Sequence, residues 1–349
     1  MDILFIGPYR QSDTWGASSR SLIKSISLIE GVGLTTRPIF LSDSKVPNLD
    51  PNIFRFEANK KARYDVLVQH MLPPHMIYSG DFGSVVGITS IETKGNNQWD
   101  NYLHLLDKLL VSTKAEKQCV AKDLRKKIYS IGGAQEPDSR EKNLAPGRFT
   151  FYSVGGELES RGGVRESLQA YFAEFHLNEA VSFVLQANDP EKAQLLINEV
   201  TQEVGLYGLP YYPHIHLVQS DEDLHNNCHC FIDMASSIGF NPETAKALLK
   251  GNVPIVLKNS GRDEYVNNKN GSVVESIEDV LICPDRPLRD MFTARESCIM
   301  PNITSLKKAM RESFDSKIGF LKKSRRGAES EGPLSHLRQS KTIEEILCS

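Results

Sequence analysis

At 349 residues the chain exceeds the size at which one core usually stops growing, so two domains of about 150 to 180 residues are expected. Forty per cent hydrophobic and 24% charged residues exclude a disordered or fibrous chain, and a net charge of −3 gives no bulk electrostatic reason for tight nucleic-acid binding. No apolar run approaches the roughly 20 residues that span a bilayer, and the first residues enter a strand at once without a leader pattern, so a cytoplasmic protein is expected.

The opening Ile3-Leu4-Phe5-Ile6-Gly7-Pro8 is a short apolar run ended by breakers, the pattern of a strand buried on both faces of a parallel sheet. After it, Leu22, Ile23 and Ile26 fall on one helical face. Further strands are predicted at Thr36 to Leu41, Val66-Leu67-Val68, Ser84 to Ile88 and Lys108 to Val111, with a helix over Gln98 to Leu106. Residues Gln135 to Pro146 turn polar and read as an interdomain linker. The alternation then restarts with a strand at Phe149 to Val154, a helix from Arg165 to Phe175 and a strand at Val181 to Gln186. A helix from Pro190 to Val204 and a strand at Ile215 to Val218 continue it. Such alternation predicts an α/β fold of two Rossmann-like domains. Their expected bounds are 1–140 and 147–330, with a last helix (Lys341 to Leu347, in 335–349) returning to the first domain.

Three polar clusters have competing readings. The six cysteines show no disulfide framework, and Cys228-His229-Cys230 has no second ligand pair at finger-like spacing, so no metal site is expected there. Asp221-Glu222-Asp223 imitates a metal-binding Asp-x-Asp, but Ser220 with Asp223 reads better as a helix capping box. Lys322-Lys323-Ser324-Arg325-Arg326, inside a charged tail from Lys317 to Glu331, reads as a solvated helix end rather than a nucleic-acid or membrane patch.

The most informative stretch runs from Phe231 to Val274. Ser236-Ser237-Ile238-Gly239-Phe240 leads into Asn241, a good N-cap, followed by Pro242 at the first helical position and Glu243 in the first turn. A helix start after a glycine loop offers amides and positive dipole to an anion such as a diphosphate. Gly251 should end that helix, and Val253 to Leu257 should form the next buried strand, with Ser260-Gly261 at its C-terminal edge.

This stretch resembles the retaining glycosyltransferases of family four, whose pattern here is serine, a gap, Glu-Gly-Phe-Gly, a helix with a second Glu, Gly-x-Pro-Val-Val and a Gly-rich loop. Ser153-Val154-Gly155-Gly156 followed by Ser160-Arg161-Gly162-Gly163 is similar to the start of that family's donor domain, where Arg161 would grip the donor diphosphate. Gly7-Pro8-Tyr9 through Trp15-Gly16 is similar to the opening strand and glycine loop, with Gly16 as the match. Gly87-Ile88-Thr89-Ser90-Ile91-Glu92 is similar to a strand that ends in a Glu beside the acceptor pocket. The resemblance implies a GT-B fold, its domains facing across a cleft, and transfer of a sugar from a nucleotide-diphosphate sugar to an acceptor hydroxyl with retention. No cofactor or metal is implied. Gly16, Arg161, Gly239, Phe240, Asn241, Pro242 and Glu243 would bind the donor. Glu92, His70 and Glu243 would serve catalysis, His70 because it follows a strand end. The acceptor stays open between a glycan, a lipid-linked sugar and a modified DNA base.

The chain also departs from the pattern. If Gly251 and Pro254 fix the register, the two family glutamates fall at Ile238 and Lys246, and the first donor arginine falls at Gly155 or Gly156. Arg161 is then left to balance the diphosphate, with Lys250 or Arg262 as helpers. The missing glutamates keep a second reading open, a catalytically decayed binding module of the same shape.

Overall fold

The computed structural model describes residues 1–41, 50–95, 99–138, 141–144, 147–154, 161–206, 213–219, 223–280 and 296–349. These divide into two compact units, Met1–Glu136 with Gly332–Ser349, and Pro137–Glu331.

The first unit is built on six parallel strands: β1 Asp2–Gly7, β2 Gly33–Pro38, β3 Val66–His70, β4 Ser84–Ile88, β5 Lys108–Val111 and β6 Ile128–Ser130. Their order is β2-β1-β3-β4-β5-β6, so chain direction across the sheet reverses between β1 and β3, the switch point where open α/β sheets bind ligands. Alternate residues feed opposite faces: Val66 and Val68 join a core with Ile3, Phe5, Leu22 and Ile23, while Leu67 joins one with Val85, Leu109 and Trp99. β2 lies earlier than Thr36 to Leu41, because Phe40 and Leu41 are exposed beyond the sheet edge. The helix expected over Gln98 to Leu106 is one turn, Asp100–Leu103, with 96–98 outside the described residues.

The C-terminal helix, His336–Cys348, packs against the helix Thr14–Ser27 and sends Ile343 and Ile346 into the first core. It starts before Lys341 because the Ser335 hydroxyl accepts from the Arg338 amide at 3.2 Å and caps it. Ser25 donates to Gln339, whose own amide donates to the Gly132 carbonyl, both at 2.6 Å.

The second unit has six parallel strands, β7 Phe149–Val154, β8 Val181–Gln186, β9 His214–Val218, β10 Cys230–Asp233, β11 Ile255–Leu257 and β12 Ser272–Val274. The order β12-β11-β10-β7-β8-β9 is that of a dinucleotide-binding Rossmann sheet, with its switch point between β7 and β10. A separate antiparallel pair, β13 Ser276–Val280 and β14 Ser297–Pro301, stands beside it.

Among the described residues, part of the expected linker is fastened to this unit. Lys142 donates to the Gly251 carbonyl at 2.9 Å, and the Asn143 amide donates to the Asn226 carbonyl at 2.9 Å. The basic run lies on the helix Lys317–Ala328 and is only partly solvated: Lys323 donates to Ser272 at 2.9 Å and Ser324 to the Gly251 carbonyl at 2.5 Å. Gly327 permits this packing, since a Cβ there would sit 2.9 Å from the Leu248 carbonyl oxygen. Among the described residues no helix is long and apolar enough to cross a membrane.

Candidate functional site

The second unit's switch point is shaped by one buried ion pair. Asp233, the last residue of β10, lies 3.3 Å from Nε of Arg262, which is only 1% exposed. Its Oδ2 also accepts from Asn241 at 2.8 Å and from the Thr244 hydroxyl at 2.5 Å. Arg262 donates in turn to the carbonyls of Ala235 and Ser237, so the loop after β10 is held from beneath by a guanidinium. The surrounding hydrogen bonds offset part of the desolvation of this buried pair, although Arg262 Nε itself makes none among the described residues. Arg262 is thus committed to the loop and does not reach out as a diphosphate helper. Lys250 is directed elsewhere too, with its ammonium 3.6 Å from the Asp138 carboxylate.

That loop delivers a helix start. Asn241 accepts from the Glu243 amide at 2.9 Å, and the helix runs Pro242–Leu249 with proline in its first turn, as its residue order predicts. Gly239, at φ 136°, donates its amide to the Ser260 carbonyl at 2.8 Å and ties the loop to the turn after β11. Phe240 packs on Tyr265 with ring centroids 5.4 Å apart, and the Tyr265 hydroxyl donates to the Asn241 carbonyl at 3.2 Å. Ile238, one of the positions where a family glutamate would fall, is buried.

Glu243 is half-buried and doubly paired, with Lys246 Nζ at 2.5 Å and His225 Nε2 at 2.8 Å. Burial alone would raise its pKa, but the His225 bond and Lys246 override it and hold the carboxylate down at about 2. Behind it, His225 Nδ1 lies 2.7 Å from the Tyr152 hydroxyl, which accepts from Asn252 Nδ2 at 2.5 Å. A carboxylate can only accept, so His225 Nε2 carries a proton aimed at Glu243. Burial raises the Tyr152 hydroxyl well above its ordinary pKa, which keeps it protonated.

Arg161 stands on the facing loop, between β7 and the helix Val164–Glu174. Its carbonyl accepts from the Ser236 amide at 2.9 Å and from the Ser236 hydroxyl at 3.3 Å. Gly163 has φ +67°, and a Cβ there would lie 2.0 Å from the Met234 carbonyl oxygen. Only glycine lets the two loops close on each other at this spot. The structure therefore brings Arg161 and Gly239 to Glu243 onto two loops bonded across one switch point. Gly155, Gly156 and Ser160 lie outside the described residues.

In the first unit, Gly16 is not in a loop but in the first turn of the helix Thr14–Ser27. Its amide donates to the N-cap Asp13 at 2.9 Å, and a Cβ would meet the Gln11 carbonyl oxygen at 2.0 Å. His70, at the end of β3, is buried, lies 2.6 Å from the Ser19 hydroxyl through Nδ1, and stacks on Trp15 with centroids 4.9 Å apart. Burial lowers its pKa to about 3, so at neutral pH it carries no charge. Glu92 follows β4 and is half-buried. Beside it lies a residue that periodicity did not single out: Glu116, fully buried, accepts from the Ile91 amide at 3.2 Å and the Thr113 amide at 2.8 Å. Burial pushes it up to about 7 against these bonds and one from the Ser112 hydroxyl. Its sequence signal was the Thr113-x-x-Glu116 capping box.

The remaining clusters are structural. His229 stacks on Phe149 and accepts from the Thr150 amide at 3.2 Å, while the Cys230 thiol donates to the Val253 carbonyl at 3.0 Å. No three metal-ligating side chains are gathered among the described residues. Ser220, Asp221 and Glu222 lie outside them, and Asp223 is itself the N-cap of the short helix Leu224–Asn227, without a side-chain capping bond.

No protein-family profile matches the chain, and no curated protein matches it in sequence. Among solved structures, sucrose-phosphate synthase from Thermosynechococcus elongatus superposes with a TM-score of 0.65 at 12% identity, covering 100% of this chain and 98% of that one. The Anabaena protein HepE in complex with UDP-glucose gives 0.64 at 11%, covering 100% and 99%. TarM of S. aureus, in a complex that includes UDP, gives 0.57 at 10%, and there the match spans 81% of this chain but only 55% of the larger protein. These likenesses show the fold, which is that of GT-B glycosyltransferases.

Proposed function

We propose that the chain is a glycosyltransferase that takes its sugar from a nucleotide-diphosphate donor and passes it to an acceptor hydroxyl with retention. The observation that carries this reading is the second unit's switch point, where Arg161 and the helix start at Asn241 to Glu243 stand on two loops bonded to each other. Arg161 supplies a cation for the diphosphate, and the helix start supplies amides and dipole. Glu243, a permanent anion held by Lys246 and His225, orients donor hydroxyls; a carboxylate with so low a pKa does not act as a general acid. Asp233 is spent on Arg262 and the loop. With Glu243 and Asp233 so engaged, charge stabilisation and positioning carry the reaction better than a dedicated nucleophile, which suits same-face transfer. In the first unit, His70 ends β3 and Glu92 lies past the end of β4, and both serve the acceptor, His70 as a neutral hydrogen-bonding ring.

The test is a titration of nucleoside diphosphates and their sugars against the parent and Arg161→Ala, with turnover followed separately. Loss of about 1.5 to 3 kcal/mol of donor affinity is expected, the range for a hydrogen bond to a charged group. Unchanged affinity in a folded Arg161→Ala removes Arg161 from the site. Tight donor binding by the parent with no transfer to any acceptor, glycan or hydroxylated DNA, points to the decayed binding module instead.

A further inference from the structure

The first unit's switch point carries an arrangement that the donor reading leaves unused. Trp15 sits in the first turn of the helix that follows β1, and its ring lies on His70, at the end of β3. The two residues thus straddle the reversal between β1 and β3. The rings are tilted by 28° with centroids 4.9 Å apart, and Ser19 fixes the imidazole from behind at 2.6 Å. Trp15 nevertheless stays partly exposed, while the chain's other tryptophan, Trp99, is buried in the core beneath β3 to β5.

We propose that Trp15 is a stacking platform for a pyranose ring. A planar indole backed on one face by a buried neutral ring is preorganised for the apolar face of a sugar, because neither ring must be ordered on binding. The neighbourhood argues against a phosphate here. The helix start already holds a carboxylate, Asp13, which accepts from the Gly16 amide at 2.9 Å, so one of its free amides is already taken. A neutral ligand with an apolar face and many hydroxyls fits both facts. The proposal rests on the glycosyltransferase reading for its biological sense, since it makes a sugar ring, rather than a DNA base, the group handled by this unit. The ring belongs either to a saccharide acceptor or to the donor's own sugar.

Trp15 and Trp99 both fluoresce, so a response is assigned to Trp15 by its loss in Trp15→Phe. Fluorescence of the full chain is titrated with methyl α-glucopyranoside, methyl β-galactopyranoside and N-acetylglucosamine, with glycerol as the acyclic control and UDP and UDP-glucose as further arms. A saturable change with at least one pyranoside, absent with glycerol, is expected and assigns the ring to an acceptor. A change with UDP-glucose but with neither UDP nor free pyranosides assigns it to the donor. Saturation-transfer NMR on the responding sugar should vanish in Trp15→Ala and persist in Trp15→Phe. The inference is overturned if no pyranose-bearing ligand alters the fluorescence, or if the NMR signal survives Trp15→Ala. Nucleotide binding that persists alongside either result leaves the glycosyltransferase reading standing, and pyranoside binding without any nucleotide binding does the reverse.

Discussion

Two buried titratable groups in the first unit pull its stability in opposite directions with pH. Burial lowers His70 from 6.5 to about 3, so between those values the unfolded chain binds a proton that the native one does not, and stability rises with pH. Burial raises Glu116 from 4.5 to about 7, so between those values the native chain holds the extra proton and stability falls as pH rises. The windows overlap from 4.5 to 6.5, where the slopes offset. Glu116→Gln removes the opposing slope. Denaturant titrations at several pH values should then show stability rising more steeply across that overlap, by up to about 1.4 kcal/mol per pH unit. An unchanged slope means Glu116 titrates normally. At this scale the sequence disclosed what lies within a turn: Asn241, Pro242 and Glu243 do what their order predicts. It could not disclose the pairs Asp233 with Arg262 or His225 with Tyr152, because each partner arrives from a different strand or loop and is chosen by burial, not by local propensity.

The loops at the second switch point depend on one glycine as well as on the Asp233–Arg262 pair. Gly163→Ala would place a methyl group 2.0 Å from the Met234 carbonyl oxygen in a backbone that also has φ +67°. Gly205→Ala supplies the comparison, since that residue has φ +76° but open space within 4 Å, and carries only the conformational cost of about 1 kcal/mol. Gly163→Ala should cost at least about 1 kcal/mol more and lower donor affinity, while Gly205→Ala leaves affinity unchanged. Equal losses in both, read by denaturant midpoint and nucleotide titration, would show that the close approach is unimportant. Elements with a strong apolar run were legible to the residue: β4, β5, β7 and β8 lie where predicted. β6, at three residues, is too short to show a period, and of the helix expected over Gln98 to Leu106 only the turn Asp100–Leu103 is helical among the described residues.

Two sheets with their own switch points make the molecule a pair of separately cored units, and a ligand held by one should stabilise that one first. The chain crosses from the first unit after Glu136 and re-enters it at Gly332, so the second unit's 137–331 is an insertion between β6 and the C-terminal helix. The first crossing lies in the polar stretch around Gln135, and the second falls in a charged tail whose composition carries no break. If the donor's nucleotide binds at Arg161 and Asn241 to Glu243, then nucleoside diphosphate at a hundred times its Kd should stabilise the second unit by about 2.7 kcal/mol by mass action. Native-state hydrogen exchange separates the units without cutting the chain. With UDP present, amides of β7, β10 and the helix Pro242–Leu249 should slow most, while those of β1, β3 and the helix Thr14–Ser27 keep their free-protein rates. The reverse pattern would move the nucleotide to the first unit and remove Arg161 from consideration. Equal slowing in both would mean that the two units open as one, and the separate cores would then not be separate cooperative units.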